Sequence, residues 1–376
     1  MNITILGCGL VGGPMAMDLA EDRSLAVKVA DINTDALEAL KNRSNVALVH
    51  ADLNDSSRLR TIIADSDIVL SAVPGHMGFQ TLQTIIEAGK NVVDIAFFAE
   101  DPFLLDDLAK KKKVTAIVDC GVMPGMGNML IGQAASQLDE IEEVLILVGG
   151  LPEVREWPYE YRAVFSPLDV IEEYTRPARY MENGKLVIRP ALSDVEYVHF
   201  PGVGTLEAFN SDGLRTMLKT IPAVNMKEKT MRYPGHVEKI AVLRQTGFFS
   251  KEEIEIKGVR LTPLEFTARI LFPIWKLKDG DGDLTVMKIT VKGRKGGQER
   301  MYNFDLLDRY DRQNGIISMA RTTGYTATTA VRMLLAGLYE AKGISAPEFI
   351  GRHPQCIDFM LRQLAQRGVN YSSVVS

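Results

Sequence analysis

A glycine-rich loop near the start of the chain has the residue types and spacing of a dinucleotide-binding site. The segment Gly7-Cys8-Gly9-Leu10-Val11-Gly12 follows an apolar run and opens a helical pattern, and Asp31 ends the next strand-like run. The first glycine makes the tight turn, the second lets the backbone approach a pyrophosphate, and the third lets helix and strand pack closely. The carboxylate of Asp31 can accept both hydroxyls of the adenosine ribose and would repel a 2′-phosphate. A glycine triplet alone is often a plain turn, but this context predicts a site that prefers NAD to NADP.

Other residues at the same edge of the expected sheet could touch a bound cofactor. The segment Ser71-Ala72-Val73-Pro74 ends the fourth strand-like run, where its backbone should border the nicotinamide ribose. Asp52 follows the third run and can either face the adenine or serve as an acid at a helix start. The predicted cofactor-binding residues are Gly7, Gly9, Leu10, Val11, Gly12, Asp31, Ile32, Asp52, Ala72, Val73, Pro74 and Gly121.

Residues that could act on a substrate fall in three further segments. Asp119-Cys120-Gly121 ends the sixth strand-like run, where a carboxylate and a glycine hinge would meet a second domain. The alternative is a linker in which Asp119 caps the next helix. Ser211-Asp212-Gly213-Leu214-Arg215 can cap a helix, and its arginine could clamp a substrate carboxylate with two hydrogen bonds. His236 follows a Pro-Gly turn. For the last two segments, helix capping with surface ion pairs is the alternative.

An alternation of strand-like and helical patterns must position these segments, and it is typical of a parallel sheet wrapped by helices. After Pro124 the pattern changes to hairpins, at Glu182–Lys185 and around a Gly293–Gly297 turn, which indicates a second domain of the α+β type. The chain closes with helical patterns over Ser318–Ala341 and Pro354–Gln366. The strands predicted for the first domain are Ile3–Leu6, Val27–Ala30, Val46–Val49, Ile68–Ser71, Val92–Ile95 and Val114–Val118.

Composition restricts the class of protein and its partners. The 376 residues, 46% hydrophobic and 24% charged, indicate a soluble globular protein of two domains. A net charge of −5 supplies no basic field for nucleic acid or an anionic membrane, and no run approaches the roughly 18 apolar residues of a membrane span. The cysteines Cys8, Cys120 and Cys356 lack the spacing of a zinc site. The Asp279–Asp283 run lacks the final acid of a calcium loop, and we interpret it as a turn. We therefore expect a cytoplasmic protein without a metal.

Several longer segments together resemble one known family. Besides the glycine loop they are Asp119–Gly125, Gly149–Pro152, Glu172–Arg179, Glu207–Phe209, Ser211–Thr216, Arg232–His236 and Met319–Thr326. Over nearly its whole length the chain resembles the saccharopine dehydrogenase-like family, and within it the lysine 6-dehydrogenase branch. The saccharopine reductases usually take NADP and carry Cys-Gly-Gly where this sequence has Val148-Gly149-Gly150, a departure that favours lysine itself as the substrate.

The resemblance implies an α/β fold in which a Rossmann dinucleotide-binding domain (1–122 and about 320–376) is completed by the C-terminal helices. An α+β domain for substrate binding and dimerisation (about 123–319) is inserted between the two parts. It also implies a pyridine-nucleotide cofactor, chemistry at an amine of lysine, and a homodimer.

The reaction we expect is NAD-dependent oxidative deamination of the ε-amine of L-lysine, which gives allysine and then its cyclic form, Δ1-piperideine-6-carboxylate. Only a neutral amine can release a hydride, and at pH 7 roughly one lysine ammonium in 2,500 is deprotonated, so a base near C6 is required. Asp119, or else Asp94 at the end of the fifth strand, is expected to stabilise the iminium cation. His236 or water would relay the proton, Arg215 would hold the α-carboxylate, and Ser211 and Asp212 would position the α-amine. The predicted catalytic residues are Asp119, Asp94 and His236, and the predicted substrate-binding residues are Arg215, Ser211, Asp212 and Cys120.

Two classes of alternative remain at this point. One is a related enzyme with another substrate, either a saccharopine dehydrogenase of the L-glutamate-forming type or a carboxynorspermidine-type synthase. The other is a catalytically silent protein that binds NAD.

Overall fold

The computed structural model describes residues 1–41, 45–278 and 280–376. Asp279, the first residue of the acidic run interpreted as a turn, lies outside them. Within them the strands are, in chain order, β1 (Asn2–Leu6), β2 (Ala26–Asp31), β3 (Val46–His50), β4 (Ile68–Ser71), β5 (Asn91–Asp94), β6 (Thr115–Ile117), β7 (Glu140–Pro152), β8 (Ala178–Glu182), β9 (Lys185–Arg189), β10 (Glu196–Phe200), β11 (Gly204–Asn210), β12 (Ala223–Arg232), β13 (Ile254–Ile256), β14 (Val259–Leu261), β15 (Asp283–Lys295), β16 (Gln298–Arg309), β17 (Gly343–Ser345) and β18 (Tyr371–Val375).

The helices of the same residues are α1 (Gly12–Ala20), α2 (Thr34–Glu38), α3 (Ser56–Ile63), α4 (Gly75–Glu87), α5 (Asp106–Lys112), α6 (Met126–Ser136), α7 (Pro167–Thr175), α8 (Met217–Thr220), α9 (His236–Gln245), α10 (Pro263–Trp275), α11 (Tyr325–Leu335), α12 (Pro347–Gly351) and α13 (Pro354–Gln366). A 3₁₀ turn spans Pro102–Leu105 and a π-helical turn spans Ala320–Gly324. Among the described residues, no helix has the length and apolar composition needed to cross a lipid bilayer.

The N-terminal strands form an all-parallel sheet of the Rossmann type, which confirms the predicted fold class. The strand order β17-β6-β5-β4-β1-β2-β3 reverses direction at β1, and such a reversal opens a crevice at the carboxyl ends of β1 and β4. Both faces are buried: Ile3 and Ile5 pack on the side of α1 and α11, and Leu6 packs on the side of α3 and α4. All six predicted strands are present, and the seventh strand, β17, comes from the C-terminal part of the chain.

The second sheet is mixed and has the order β10-β11-β12-β7-β15-β16-β18, with β8 attached to β12 and β9 to β8. Strands β12 and β7 are parallel to each other, whereas β11 is antiparallel to β12 and β15 is antiparallel to β7. The predicted hairpin at Glu182–Lys185 is confirmed as β8–β9. The hairpin β15–β16 turns at Gly296 and Gly297, later than predicted, because Gly293 still pairs with Arg300 in the ladder.

Helix α6 connects the two sheets, and close backbone packing holds it in place. A Cβ on Gly132 would lie 2.1 Å from the carbonyl oxygen of Glu348, and one on Gly351 would lie 1.9 Å from that of Met129. The two glycines therefore let α6 and α12 pack backbone against backbone. Residues from both sheets and from α6 belong to one apolar core, so the cavity between the sheets has rigid walls.

The C-terminal part differs from the expectation in two respects. The helical pattern over Ser318–Ala341 is a π-helical turn followed by α11, and α11 ends before Gly337, whose φ of +66° stops a helix. Residues 371–375 form β18, which pairs with β16 of the second sheet. This last segment, assigned from the sequence to the first domain, therefore lies in the second sheet. The remaining domain limits stay a prediction.

Candidate active site

A cavity of about 570 Å³ lies where the carboxyl ends of the first-sheet strands face the second sheet. One wall consists of the loops that follow β1 to β6, and the other consists of β7, β12, the segment after β11 and helix α7. Ligands of parallel α/β sheets bind at this edge. We call the part formed by α7 with the following Arg176, by β12, by the segment after β11 and by the loop after β6 the substrate end. The part around the glycine loop is the cofactor end.

The glycine loop at the cofactor end has the geometry that a pyrophosphate requires. Gly7 has φ +99°, and a Cβ on Gly12 would lie 2.2 Å from the Gly7 carbonyl oxygen, so neither position accepts a side chain. Gly9 lines the cavity, and a Cβ there would meet nothing within 4 Å. Within the part of the chain that the structure describes, no side chain caps the start of α1, which leaves that helix end open to an anion. The loop thus fits a dinucleotide.

Asp31 stands at the end of β2 in the wall of the cofactor end. Its Oδ2 accepts a hydrogen bond from the Cys8 amide at 2.5 Å and its Oδ1 accepts one from the Asn33 amide at 2.7 Å. The Asn33 side chain is occupied as the cap of α2, and Ile32 is exposed beside it. Among the described residues, no lysine or arginine lines this end of the cavity. A carboxylate without a neighbouring cation suits a ribose diol better than a phosphate.

The cavity brings together every residue that the sequence analysis assigned to the cofactor: Gly7, Gly9, Leu10, Val11, Gly12, Asp31, Ile32, Asp52, Ala72, Val73, Pro74 and Gly121. The residues assigned to the substrate divide into two groups. Those that line the cavity are Asp119, Ser211 and Asp212. Those that do not line it, and whose predicted roles are corrected below, are Asp94, Cys120, Arg215 and His236.

Arg215 binds Asp119 and does not face the cavity. Its Nε donates to both carboxylate oxygens of Asp119, at 2.7 and 2.8 Å, and its Nη1 donates to the Phe98 carbonyl oxygen at 2.6 Å. The side chains of the pair are only 4% and 1% exposed, and the guanidinium lies over the rings of Phe97 and Phe98. Arg215 therefore holds Asp119 in the cavity wall, and the predicted clamp for a substrate carboxylate is wrong.

Asp94 and Cys120 lie in a buried layer next to Asp119. Both are fully buried, and the Cys120 amide donates to the Asp94 carbonyl oxygen at 2.9 Å. Burial raises the pKa of Asp94 to about 7; the Ser71 hydroxyl opposes this rise and the charge of Asp119 adds to it. Burial also raises the pKa of the Cys120 thiol. Neither residue lines the cavity, so neither side chain is placed to touch a substrate there.

His236 belongs to a buried network of the second domain. Its Nδ1 lies 2.9 Å from the Tyr159 carbonyl oxygen, to which it must donate, and its Nε2 therefore accepts from the Tyr174 hydroxyl at 2.9 Å. Burial lowers the pKa of His236 to about 3, with a contribution from the charge of Arg232, so the ring is neutral. Tyr174 in turn accepts a hydrogen bond from Arg232 Nε at 3.2 Å. His236 thus supports a residue of the cavity wall and relays no proton to the cavity.

Glu228, which the sequence analysis did not single out, lines the substrate end. Its Oε2 accepts hydrogen bonds from Ser211 Oγ at 2.7 Å and from the Gly213 amide at 3.1 Å, and Ser211 Oγ also contacts Thr230 Oγ1 at 2.7 Å. A Cβ on Gly213 would lie 2.6 Å from the carboxyl carbon, so glycine makes room for the acid. Burial raises the pKa of Glu228 to about 8, against the bond from Ser211. Polar residues stand at alternate positions of β12, namely Glu228, Thr230 and Arg232, and therefore share one face of the strand. This pattern could have identified Glu228 from the sequence.

One face of α7 forms another wall of the substrate end. Asp169, Glu172, Glu173 and Arg176 all line the cavity. Residues three, four and seven positions apart share one face of a helix, so their spacing in the sequence was a usable signal. Burial raises the pKa of Asp169 and that of Glu173, the first against a hydrogen bond from Ser166 and the second against the charge of Arg232. This wall is therefore a set of ionisable groups withdrawn from water.

Most carboxylates of the substrate end already have a cationic partner. The pairs are Asp119 with Arg215 at 2.7 Å, Asp212 with Arg179 at 2.8 Å, Glu173 with Arg232 at 2.7 Å and Glu172 with Lys251 at 2.7 Å. Asp212, which was predicted to position the substrate α-amine, is thus already bound by Arg179, and its contact with a substrate stays a prediction.

Two carboxyls of the substrate end lack a cationic partner among the described residues, and one arginine there has only a long ion pair. Within the described parts of the chain, Asp169 and Glu228 form no ion pair with a lysine or arginine. Arg176 lies 3.6 Å from Glu172, and no carbonyl or carboxylate of the described residues accepts a hydrogen bond from its guanidinium. Burying ionisable groups without partners is costly, so these three are the groups a ligand would complete.

Comparison with known proteins assigns both parts of the chain to one family. The family model described as "Saccharopine dehydrogenase NADP binding domain" matches residues 3–117, and "Saccharopine dehydrogenase C-terminal domain" matches residues 121–369. The apo saccharopine dehydrogenase (L-Glu forming) of Saccharomyces cerevisiae has the same fold, with a TM-score of 0.80 at 20% identity, covering 100% of this chain and 99% of that one.

Curated relatives are distant in sequence. The mitochondrial alpha-aminoadipic semialdehyde synthase of Mus musculus is 23% identical over 92% of this chain, and the chain spans only 45% of that protein's length. The carboxyaminopropylagmatine dehydrogenase of a Synechocystis species is 23% identical over 92% of this chain and 86% of its own length. The two family models together cover nearly the whole sequence, and the chain is therefore a member of the saccharopine dehydrogenase family of oxidoreductases.

Proposed function

We propose that the protein is an NAD-dependent oxidoreductase that removes the ε-amine of L-lysine. The observation that carries this proposal is a set of three ionisable groups at the substrate end. Among the described residues the carboxyls of Asp169 and Glu228 have no lysine or arginine partner, and the guanidinium of Arg176 has only the 3.6 Å ion pair with Glu172. L-Lysine carries two ammonium groups and one carboxylate. Once Glu228 is ionised, ligand and site are complementary in charge, and a bound lysine would give each of the three groups a partner.

Saccharopine fits the same charges less well. It carries the same number of amines as lysine but three carboxylates, which would need three cations. Arg179, Arg215 and Arg232 are already bound to carboxylates of the protein, and Arg176 remains for one ligand carboxylate. Two carboxylates of saccharopine would therefore lie in an acidic cavity without partners, at a cost of several kcal/mol.

Glu228 is our candidate for the proton acceptor, in place of His236. It lines the cavity, and burial raises its pKa from 4.5 to about 8. This raised pKa is closer to that of an ammonium group, so the carboxylate is a better proton acceptor than an ordinary one. Ser211 and Gly213 hold its Oε2, so that Oε1 can accept a proton from the substrate ammonium. Deprotonation of the amine by Glu228 would prepare C6 for hydride loss.

Asp119 keeps its predicted role of stabilising positive charge at C6. It follows β6 at the carboxyl edge of the first sheet and is held in a left-handed conformation, with φ +52°, by its bonds to Arg215. Because the carboxylate is fixed before the reaction, it needs little reorganisation when the iminium cation forms.

A bound nicotinamide supplies the acceptor for the hydride that leaves C6. Water then adds to the iminium carbon, ammonia departs and the aldehyde remains, so that lysine, NAD⁺ and water give allysine, ammonium, NADH and one proton. For the cofactor we propose NAD, because Asp31 stands at the ribose position without a cation that could bind a 2′-phosphate. The family model's description names NADP, and the choice of cofactor is therefore part of the test.

The experiment is an absorbance assay at 340 nm with purified protein, L-lysine and either NAD or NADP. We expect reduced cofactor to form with lysine and NAD. Oxidation of NADPH in the presence of allysine and glutamate, with no reaction of lysine alone, would instead favour saccharopine, the substrate class suggested by the names of the relatives. A carboxylated polyamine tested in parallel covers the carboxynorspermidine-type alternative. Binding of NAD without turnover of any of these compounds would indicate the non-catalytic alternative.

The homodimer and the cytoplasmic location stay predictions. Light scattering at several protein concentrations tests the first, and fractionation of cells that produce the protein tests the second.

A further inference from the structure

Arg176 is the one lining arginine of the described chain that no protein group holds by hydrogen bonds. It follows α7 directly, where the helix dipole favours a cation, and its guanidinium carbon lies 4.9 Å from the centre of the Phe97 ring. Its Nη1 is buried without a hydrogen-bond partner, and its nearest carboxylate oxygen, on Glu172, is 3.6 Å away. That carboxylate is already bound by Lys251 at 2.7 Å.

A buried guanidinium with unused donors indicates a missing acceptor. An N–H group withdrawn from water without a partner costs free energy, and a ligand that accepts a hydrogen bond from it would offset that cost. The contact with the Phe97 ring uses none of the guanidinium N–H groups as hydrogen-bond donors, so they remain available to an acceptor. Two N–H groups of a guanidinium point in parallel, and a carboxylate is the acceptor that can receive two parallel hydrogen bonds from them.

The other arginines near the cavity cannot take this role. Arg232 donates through Nε, Nη1 and Nη2 to Tyr174, the Met231 carbonyl oxygen and Glu173. Arg215 also has a buried Nη2 without a partner among the described residues, but its Nε and Nη1 are bound to Asp119 and to the Phe98 carbonyl oxygen, and it does not line the cavity.

We infer that Arg176 binds the α-carboxylate of the substrate and thereby makes the enzyme select amino acids over plain diamines. The inference rests on the proposed function for the identity of the substrate, but the carboxylate contact itself can be measured by binding alone. It transfers the predicted role of Arg215 to the residue that directly follows α7, seven positions after Asp169. Arg176 would thus fix one end of the substrate while Glu228 acts at the other.

The test compares Arg176→Met with the wild type on two substrates, L-lysine and 1,5-diaminopentane, which has the same two amines without the carboxylate. We expect Arg176→Met to lower kcat/KM for lysine about 100-fold and to change the value for the diamine less than threefold. Arg176→Lys should recover part of the lost kcat/KM for lysine, because it restores the positive charge but not the two parallel hydrogen bonds of a guanidinium. Arg260→Met, on the exposed β13–β14 hairpin, is the matched control and should leave both values unchanged.

Calorimetry without turnover separates this inference from the proposed function. Wild-type protein should bind L-lysine more tightly than lysinamide, whose carboxylate is replaced by a neutral amide, and Arg176→Met should remove the difference. This result supports the carboxylate contact even if the wild type fails to oxidise lysine, an outcome that would refute only the proposed function. Equal losses on lysine and diamine, or a wild type that does not distinguish lysine from lysinamide, would overturn the inference.

Discussion

Replacing Glu228 by glutamine should abolish deamination and at the same time stabilise the fold at alkaline pH. Glutamine keeps the shape of the side chain and an oxygen that can accept from Ser211 and Gly213, so the change removes the ionisable group with little repacking. Without the proton acceptor we expect kcat/KM for lysine to fall by about 100-fold or more. In the wild type, kcat/KM should rise with pH until Glu228 is ionised, at about pH 8.

The effect on stability follows from the shifted pKa. Burial raises the pKa of Glu228 from 4.5 to about 8, so between these values the folded protein holds a proton that the unfolded chain has released. The stability of the wild type therefore falls with rising pH across this window, by about 1.4 kcal/mol per pH unit from this one group. Between about pH 5.5 and about pH 8.5 this group lowers the free energy of unfolding of the wild type by about 3 kcal/mol. The Glu228→Gln variant has no such ionisable group and should not show this decrease.

Urea unfolding at these two pH values measures the difference directly. The variant should gain about 3 kcal/mol relative to the wild type when the pH is raised, because the contributions of all other titrating groups cancel in the comparison. Glu299→Gln, an exposed carboxyl in the β15–β16 hairpin, should show no such change. A difference between variant and wild type that does not depend on pH would refute the assignment of a raised pKa to Glu228.

Three further predictions concern the cofactor loop and the pair that fixes Asp119. Asp31→Asn keeps an oxygen for the Cys8 amide and removes the charge, so the ratio of kcat/KM for NAD to that for NADP should fall at least tenfold; an unchanged ratio would mean that this carboxylate does not face the ribose. Gly9→Ala should leave the melting temperature unchanged but weaken dinucleotide binding in calorimetry, whereas Gly12→Ala should cost about 1–3 kcal/mol in urea unfolding, since its methyl group would meet the Gly7 carbonyl. Arg215→Met should cost about 3–5 kcal/mol, and adding Asp119→Asn should recover part of this; strict additivity of the two changes would argue against a coupled ion pair.

Local sequence pattern was sufficient for six of the seven strands of the first sheet and for the cofactor end. A glycine turn, the strand before it and the helix after it are neighbours in the chain, and strand ends of a parallel sheet share one edge, so the loops that follow the strands must converge. For this reason the residues from Gly7 to Gly121 that were assigned to the cofactor all line one cavity. Strand β17 was missed because a buried three-residue strand carries too little periodicity to be distinguished from a loop.

The substrate end depended on which distant groups meet in space. The sequence does not distinguish Arg215 from Arg176. In the structure Arg215 is bound to Asp119, 96 positions away in the chain. Arg176 contacts the Phe97 ring and has only a 3.6 Å ion pair with Glu172. His236 lost its expected role because the packing around Tyr174 buries it and keeps it neutral. Charge pairing and desolvation act through distances of a few ångströms between side chains, irrespective of their separation along the chain, and so they are decided only when the sheets pack together.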